Sequence, residues 1–508
     1  MTTAKLCIMI AIAVYLLGML YVGYRCSAKN KSTDDFYLGG RKLGPFVTAM
    51  SAEASDMSSW LLMGLPGVAY LSGISDAGWT AIGLAVGTYI NFLIVAKRLR
   101  RYTYVAGNSI TLPQFFKNRF HDDSHILLII SAVIIVVFFI PYTASGFAAC
   151  GKLFSSLFGI DYMAAMIISA IVIVAYTMLG GFLAASTTDF IQSIIMSIAL
   201  IVILVFGIRV AGGWDAVVKN AEALPGYLSM LQSYDPVTKT ATPYRLITIF
   251  STLAWGLGYF GMPHILLRFM AIENEHKLTM SRRIAVVWVV ISMAVAVLIG
   301  VVGYSMSEAG ELVVLTGSNS ETIIVRIADL LSQNGVIFAL LAGVVLAGIL
   351  ASTMSTADSQ LLAASSAVSS DILNRNGKSG IIAARITLLM IAVFSIILAR
   401  NPDSSVFQIV SFAWAGFGAA FGPVMLFSLF WRRTNKYGAL AGMLVGGAMI
   451  FVWKYLVRPL GGIWDIYELL PAFLLACAAI LIVSLMTAPP EQSVLDEFDQ
   501  AAHGCKQK

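Results

Sequence analysis

The chain has 508 residues, of which 58% are hydrophobic and only 12% are charged, and its formal net charge is +6. Soluble domains carry about 25% charged residues, so this composition excludes an ordinary soluble enzyme, and the modest positive charge needs no nucleic-acid partner. Apolar runs of about 20 residues, enough to cross a bilayer as helices, recur from one end to the other. The sequence therefore predicts an all-α polytopic membrane protein.

Hydropathy predicts thirteen transmembrane helices in a single domain, 1–490, followed by a short polar tail at 491–508. The first run starts near Leu6 and ends near Tyr24 without a small-residue cleavage site after it, so it is interpreted as a span and not as a signal peptide. The predicted spans are 6–24, 46–73, 76–96, 125–155, 162–181, 189–212, 246–267, 284–306, 334–363, 381–399, 405–430, 437–457 and 467–486.

The loop charges predict the orientation. An odd number of spans places the two termini on opposite sides of the membrane. Most of the 33 Lys and Arg fall in loops on the side of the C-terminus, among them the loop assigned to 268–283. Because cytoplasmic loops are enriched in Lys and Arg, we expect a multi-pass protein of the plasma membrane with its N-terminus outside and its C-terminal tail in the cytoplasm.

Two of the spans are interrupted. The second contains SAEASDMSSW (51–60) followed by GLPG, and the seventh contains WGLGYFGMP (255–263). Interrupted helices at matching positions of two halves are typical of inverted-repeat transporters, whose binding sites lie at the bilayer midplane. The sequence thus predicts one repeat at about 46–212, a second at about 246–430, and two extra helices at 437–486.

Polar side chains in the second and ninth spans indicate a cation site. A broken helix frees backbone carbonyls, which are hard ligands suited to Na⁺, and Asp56 adds a fixed negative charge. In the ninth span, a single Ser or Thr most often bonds back to its own helix. Asp189, taken alone, is readily interpreted as a residue at a helix start. A cluster on one helical face is less easily explained in this way; it comprises Ser352, Ser355, Thr356 and Ser359, with Asp358 close by.

Long motifs then resemble a known family. They are SAEASDMSSWLLMGLPG, GLGYFGMPHILLRFM, MSTADSQLL, FYLGGRKLGPF and SFAWAGFGAAFGP. From about residue 10 to 490 the chain resembles the sodium/solute symporter family, and most of all its proline-transporting members. The resemblance implies thirteen transmembrane helices with the N-terminus outside, ten of which form a LeuT-type core of inverted five-helix repeats.

The resemblance also implies the ion sites. Asp56 and Ser58 match positions that couple sodium to substrate. The expected Na⁺ ligands are the carbonyls of Ala54, Met57 and Ser352 and the hydroxyls of Ser355 and Thr356. Asp189 matches an aspartate that holds a second sodium ion in some members. A second cation site would comprise Asp189, Ser355, Asp358 and Ser359.

The resemblance places the substrate in an aromatic pocket between the two broken helices. A pyrrolidine ring has no polar handle, so an apolar enclosure can hold it. Its carboxylate can meet N–H groups at a half-helix N-terminus, and its ammonium an aromatic face. The expected substrate-binding residues are Trp60, Tyr142, Trp255, Tyr259 and Pro263.

The sequence departs from the family pattern at four positions. Glu53 and Ser59 stand where the proline-transporting members usually have glycine, and they alter the mouth of the sodium loop. Met262 stands where glutamine is expected, next to the substrate. Asp358 replaces a small polar residue, and beside Asp189 it indicates an additional cation site or a shared proton.

The sequence therefore predicts a secondary active transporter that couples inward Na⁺ flow to the uptake of L-proline by alternating access. We expect no enzymatic activity, no organic cofactor and no obligate protein partner, with the lipid bilayer as its surroundings. The alternatives are the same mechanism with another small amino acid, a betaine or a carboxylate, a transporter-like nutrient sensor, and a passive channel.

Overall fold

The computed structural model describes residues 2–27, 33–373 and 377–503, so the predicted tail is described only as far as 503. In this part of the chain nearly every element is a helix. A single short antiparallel hairpin is present among the described residues, formed by β1 (Gln232–Asp235) and β2 (Thr240–Pro243). The predicted all-α class is confirmed.

The helices of the first half follow the predicted apolar runs. Short π-helical turns at Trp60–Gly64 and Asn91–Val95 each join two consecutive helices. The helices are α1 (Thr3–Ser27), α2 (Thr33–Leu38), α3 (Pro45–Ser59), α4 (Leu65–Ser72), α5 (Ile74–Ile90), α6 (Ala96–Val105), α7 (Leu112–Arg119), α8 (Ile126–Phe158), α9 (Tyr162–Val210) and α10 (Trp214–Glu222).

The second half begins with the other interrupted span. A 3₁₀ segment, Ala254–Phe260, follows the helix Leu246–Leu253, and the combined segment Leu246–Phe260 is bent by 45° relative to the next helix, Pro263–Ala271. The helices are α11 (Leu246–Leu253), α12 (Pro263–Ala271), α13 (Leu278–Glu308), α14 (Ile323–Ser332), α15 (Val336–Ser366), α16 (Gly377–Leu398), α17 (Val406–Phe430), α18 (Lys436–Val452), α19 (Leu469–Met486) and α20 (Gln492–His503).

Length and hydropathy identify fewer spans than the sequence predicted. Among the described residues, nine helices are long and apolar enough to cross a membrane, and the bent pair α11–α12 makes ten. The apolar helices Tyr162–Met178 and Ile382–Leu398 are shorter than this measure requires. The predicted span 46–73 is broken between α3 and α4. Thirteen membrane-spanning helices therefore stay a prediction.

Two boundaries were predicted wrongly. The span end predicted at 181 coincides with a break in α9 at Gly181, where φ is 65° and ψ is −174°, but residues 182–188, which were left outside the spans, are helical. Glycine reaches this backbone region without a steric penalty. Asp189 therefore lies inside a helix and not at its start. The loop assigned to 268–283 also begins too early, because α12 runs on to Ala271 and buries Arg268.

Close helix contacts place the two broken segments against the middle of the bundle. Helix α15 packs along α9, α1, α3 and α8. The 3₁₀ segment approaches α5 so closely that a Cβ on Gly256 would lie 2.3 Å from the carbonyl oxygen of Gly83. Only glycine allows this approach, and it brings the seventh-span break beside α5.

The C-terminal helix α20 docks on α6. The Phe498 ring receives the guanidinium groups of Arg98 and Arg119 at 5.0 and 5.2 Å from its centroid. Arg432 forms a two-pronged contact with Asp499 at the exposed edge of this helix. The part of the tail that the structure describes is thus an ordered helix packed on the membrane domain.

Candidate functional site

The break in α3 lies at Ser58. Its backbone has φ 35° and ψ −169°, a combination that residues other than glycine rarely adopt. Such a conformation persists only where the surrounding structure enforces it. The Trp60 amide donates to the Ser58 hydroxyl at 3.3 Å, which bridges the break. The break frees carbonyl groups of the preceding turn. Side chains from other helices reach two of them: the Ser355 hydroxyl donates to the Ala54 carbonyl at 2.7 Å, and the Tyr142 hydroxyl donates to the Asp56 carbonyl at 3.2 Å.

The structure brings four of the five predicted sodium ligands into one cluster. Besides its contact with Ala54, the Ser355 hydroxyl lies 3.1 Å from the Ser352 carbonyl, and the Thr356 hydroxyl lies 3.1 Å from the same oxygen. The fifth carbonyl, that of Met57, accepts the Trp60 amide. All of these residues are buried. The donor set of carbonyl and hydroxyl oxygens suits a hard cation such as Na⁺.

Asp56 connects this cluster to the seventh-span break. The Tyr259 hydroxyl donates to Oδ2 of Asp56, and the Asn91 side-chain amide donates to the Tyr259 carbonyl at 3.1 Å. The backbone carbonyl of Asp56 accepts a hydrogen bond from the Tyr142 hydroxyl on α8. Asp56 thus contacts the 3₁₀ segment through its carboxylate and α8 through its backbone carbonyl.

The predicted aromatic residues line one wall. The rings of Trp60 and Trp255 lie 6.2 Å apart, and Trp255 stacks on Tyr467 at 5.1 Å. Trp414, which sequence reasoning did not assign to the site, donates its indole N–H to the Trp255 carbonyl at 2.8 Å and meets the Tyr259 ring edge-on at 5.0 Å. Its only sequence signal was its position in the SFAWAG motif.

Pro263 lies at the end of this wall. It is buried and is the first residue of α12, where its missing N–H costs nothing. His264, the next residue, is also fully buried, with its ring 6.2 Å from that of Tyr142. The five predicted substrate-binding residues therefore belong to connected parts of one buried region around the two breaks.

In the candidate second cation site, a side chain of the protein, Arg268, supplies the positive charge. The Arg268 guanidinium donates to Asp189 Oδ2 at 3.0 Å and to the Ser359 hydroxyl, and the Ser359 hydroxyl lies 3.2 Å from Asp358 Oδ1. Arg268 also donates to the Ser51 hydroxyl at 3.0 Å. Ser355 has its contacts in the first cluster, with Ala54 and Ser352.

Arg268 is therefore the main residue that sequence reasoning missed. It is 1% exposed, and its partner Asp189 is fully buried. A lone Arg within an apolar motif, HILLRFM, was an available signal, because ionisable residues inside a membrane are rare and usually paired.

Several known proteins are similar to this chain over nearly its whole length. A model of the sodium:solute symporter family matches residues 36–446. The chain is 42% identical to the sodium/proline symporter of Haemophilus influenzae, covering 98% of each chain, and 41% identical to that of Escherichia coli K12, covering 97% and 96%. It is 40% identical to the osmoregulated proline transporter of Bacillus subtilis, covering 96% of each chain.

Solved structures show the same fold. The substrate-bound, outward-open structure of a Na⁺-coupled sialic acid symporter superposes with a TM-score of 0.78, covering 96% of this chain and 99% of that one at 19% identity. Mhp1, a nucleobase-cation-symport-1 family transporter, gives a TM-score of 0.53 at 14% identity, covering 91% and 98%. The helices are therefore arranged as in sodium-coupled transporters with a LeuT-like fold.

Proposed function

Because this chain belongs to the sodium:solute symporter family, whose members are transporters and not enzymes, we propose that it couples inward Na⁺ flow to the uptake of L-proline. The observation that carries the proposal is the contact of the Ser355 hydroxyl with the Ala54 carbonyl at the break of α3, with Ser352 and Thr356 beside Ser355 on α15 and Trp60 one turn away. Relatives about 40% identical over nearly the whole chain are named as proline transporters, which favours proline as the substrate.

The coupling follows from the way the two sites share α3. A sodium ion on the Ala54 carbonyl would fix the break, and the break sets the position of Trp60 against Trp255. Asp56, with Ser58 beside it, connects the ion cluster to Tyr142 and Tyr259. Sodium binding thus shapes the aromatic wall that would hold the pyrrolidine ring.

The membrane potential supplies enough energy for accumulation. One charge moving through 100 mV releases about 2.3 kcal/mol. Since about 1.4 kcal/mol corresponds to a tenfold ratio, one sodium ion sustains about 50-fold accumulation before its concentration gradient is added. No organic cofactor enters this scheme.

We extend the proposal to the whole topology. Thirteen helices, with inverted repeats at 46–212 and 246–430, would place the N-terminus outside and α20 in the cytoplasm. The positions of the breaks in α3–α4 and α11–α12 support this arrangement, because each lies in the first helix of its repeat. The protein would work in the plasma membrane, surrounded by lipid and without an obligate protein partner.

The second cation site is proposed here in a changed form. Asp189, Asp358 and Ser359 would hold a cation, and in the described conformation that cation is the Arg268 guanidinium. A sodium ion would reach these oxygens only if Arg268 moved away from them.

Purified protein in proteoliposomes is expected to accumulate labelled proline when an inward Na⁺ gradient is imposed and to stop when the gradient is collapsed. The uptake should saturate with both proline and Na⁺, because each occupies a defined site. Competition by other small amino acids, betaines and carboxylates measures the selectivity that Met262, buried before α12, leaves open. If one of these compounds competes more strongly than unlabelled proline does, that compound and not proline is the preferred substrate. Sodium currents that did not depend on any substrate would instead indicate a channel.

Tyr259→Phe should raise the proline concentration needed for half-maximal uptake, because the Asp56 carboxylate loses a hydrogen bond. Hydrogen bonds to charged groups contribute about 1.5–3 kcal/mol, against about 0.5–1.5 kcal/mol for neutral ones. Tyr142→Phe is the matched variant, since the Tyr142 hydroxyl contacts the uncharged Asp56 carbonyl and lies beside the Ser58 hydroxyl, and its effect should be smaller. Uptake per folded molecule distinguishes the two, and equal effects would show that the carboxylate contact has no special role.

A further inference from the structure

Two carboxylates lie one helical turn apart on α3, and most of their oxygens are unsatisfied. Glu53 is 1% exposed and Asp56 is fully buried. Within the described part of the chain, both carboxylate oxygens of Glu53 and Oδ1 of Asp56 have no hydrogen-bond partner. Buried polar atoms are nearly always paired, so three orphaned acidic oxygens in one place require an explanation.

The junction of α5 and α6 supplies two more buried oxygens, both beside Tyr259. The side-chain carbonyl of Asn91 is fully buried and has no hydrogen-bond partner among the described residues, and the Thr88 hydroxyl, also fully buried, lies within hydrogen-bond reach of the Tyr259 hydroxyl. Asn91 is anchored through its amide nitrogen to the Tyr259 carbonyl, so its oxygen is held in a fixed orientation. The Tyr259 hydroxyl lies beside both Thr88 and Asp56, and Glu53 is within electrostatic reach of Asp56 and Tyr259.

Among the described residues, no cationic side chain is recorded as acting on Glu53 or Asp56. The nearest charged group that acts on Glu53 among the described residues is Asp56, which repels it. Arg268, the buried cation of the neighbouring site, is committed to Asp189, Ser51 and Ser359. Two like charges that are buried without a counter-ion strongly disfavour ionisation, and a bound cation removes this penalty.

We infer that Glu53, Asp56, Thr88 and Asn91 form a second Na⁺ site, separate from the Ala54–Ser355 cluster and from the Asp189–Arg268 pair. The donors are carboxylate, hydroxyl and amide oxygens, the ligand set of a hard cation. They come from α3 and from the junction of α5 and α6, next to Tyr259 of the seventh-span break. The inference rests on the proposed function for its role in transport, since a second ion raises the driving force for each substrate molecule.

The test compares wild type with Glu53→Gln, which keeps the size of the side chain and removes its charge. Equilibrium binding of ²²Na⁺ to purified protein without proline should fall from two ions per molecule to one. In proteoliposomes, the ratio of ²²Na⁺ to labelled proline should fall from two to one. Asp371→Asn is the matched control, because this buried carboxyl accepts hydrogen bonds from Thr111 and Gln114 and lies away from the cluster; it should keep both ratios.

The possible outcomes distinguish a failure of this sodium site from a failure of the proposed function. If Glu53→Gln binds as many ²²Na⁺ ions as wild type, the site is overturned. If the variant moves less charge per proline without moving less ²²Na⁺, the site is also overturned, because Glu53 then carries a proton. Absence of sodium-dependent proline uptake in wild type would contradict the proposed substrate, whereas the binding count would still decide the site. If Glu53→Gln does not fold, Thr88→Val replaces it, since it removes one neutral ligand from the other helix; it should weaken binding of the second ion, and wild-type binding would overturn the site.

Discussion

Arg268→Gln is expected to cause the largest loss of stability of any substitution considered for this protein. The change leaves the Asp189 carboxyl buried without its partner, and it removes the donors to Ser51 and Ser359. Breaking a buried ion pair by removing one partner costs about 3–5 kcal/mol. We expect a large fall in the thermal unfolding temperature of the detergent-solubilised protein and little folded transporter in the membrane.

The double variant Arg268→Gln/Asp189→Asn should recover much of the loss, because it removes the orphaned charge along with its partner. A double-mutant cycle measures this coupling directly. Arg432→Gln is the matched control: Arg432 forms an ion pair with Asp499 at the exposed surface, and exposed pairs contribute little. If the single and double variants unfold at the same temperature, the loss does not come from the unpaired Asp189 carboxyl; if Arg268→Gln unfolds at the wild-type temperature, the Asp189–Arg268 contact does not stabilise the fold.

Ser355→Ala and Thr356→Ala should each increase the Na⁺ concentration needed for half-maximal uptake strongly, while proline affinity at saturating Na⁺ changes little. Each substitution removes one hydroxyl from a cluster of few oxygens, and an interaction with a charged group contributes about 1.5–3 kcal/mol. This corresponds to roughly 10- to 150-fold in Na⁺ affinity, at about 1.4 kcal/mol per tenfold. The measurement is the sodium dependence of labelled proline uptake for each variant.

Ser365→Ala is the control on the same helix. Ser365 is also buried, and its hydroxyl contacts the Leu362 carbonyl of its own helix, away from the Ser352 carbonyl that Ser355 and Thr356 share, so its removal should leave the sodium dependence unchanged. Wild-type sodium dependence in both Ser355→Ala and Thr356→Ala would show that the ninth-span cluster is not the sodium site.

The features predictable from sequence were those encoded by local pattern. The apolar runs locate most long helices, and the clustering of Gly and Pro near Trp255 locates the bent pair α11–α12. The spacing of Ser352, Ser355 and Thr356 predicts one helical face, and the structure places this face on the Ala54 carbonyl. The convergence of α3 with α15 is a tertiary contact, and its prediction came from the family resemblance.

The features missed depend on contacts between distant segments. Arg268 was counted as a loop charge, because a positive residue near the end of an apolar run usually belongs to the cytoplasmic side. The buried partner that holds it, Asp189, belongs to another part of the chain. The helical structure of residues 182–188 was missed for a related reason, since polar residues between two apolar runs are typical of a loop. Here a helix resumes directly after the break at Gly181, and Thr188 meets Tyr176, which lies before the break, at 2.6 Å.

The Asp189–Arg268 pair also bears on how the chain enters the membrane during synthesis. The two residues are 79 positions apart, so the segment with the carboxylate leaves the ribosome well before its partner exists. Insertion of either charge alone at the centre of a helix costs about 2.5–3.5 kcal/mol. The apolar residues of α9 and of α11–α12 must offset this cost separately, and the pair can form only once both halves of the bundle are in the bilayer. Its formation therefore marks the assembly of the two repeats, and a variant that lacks either residue should be retained by quality control as an incompletely assembled protein.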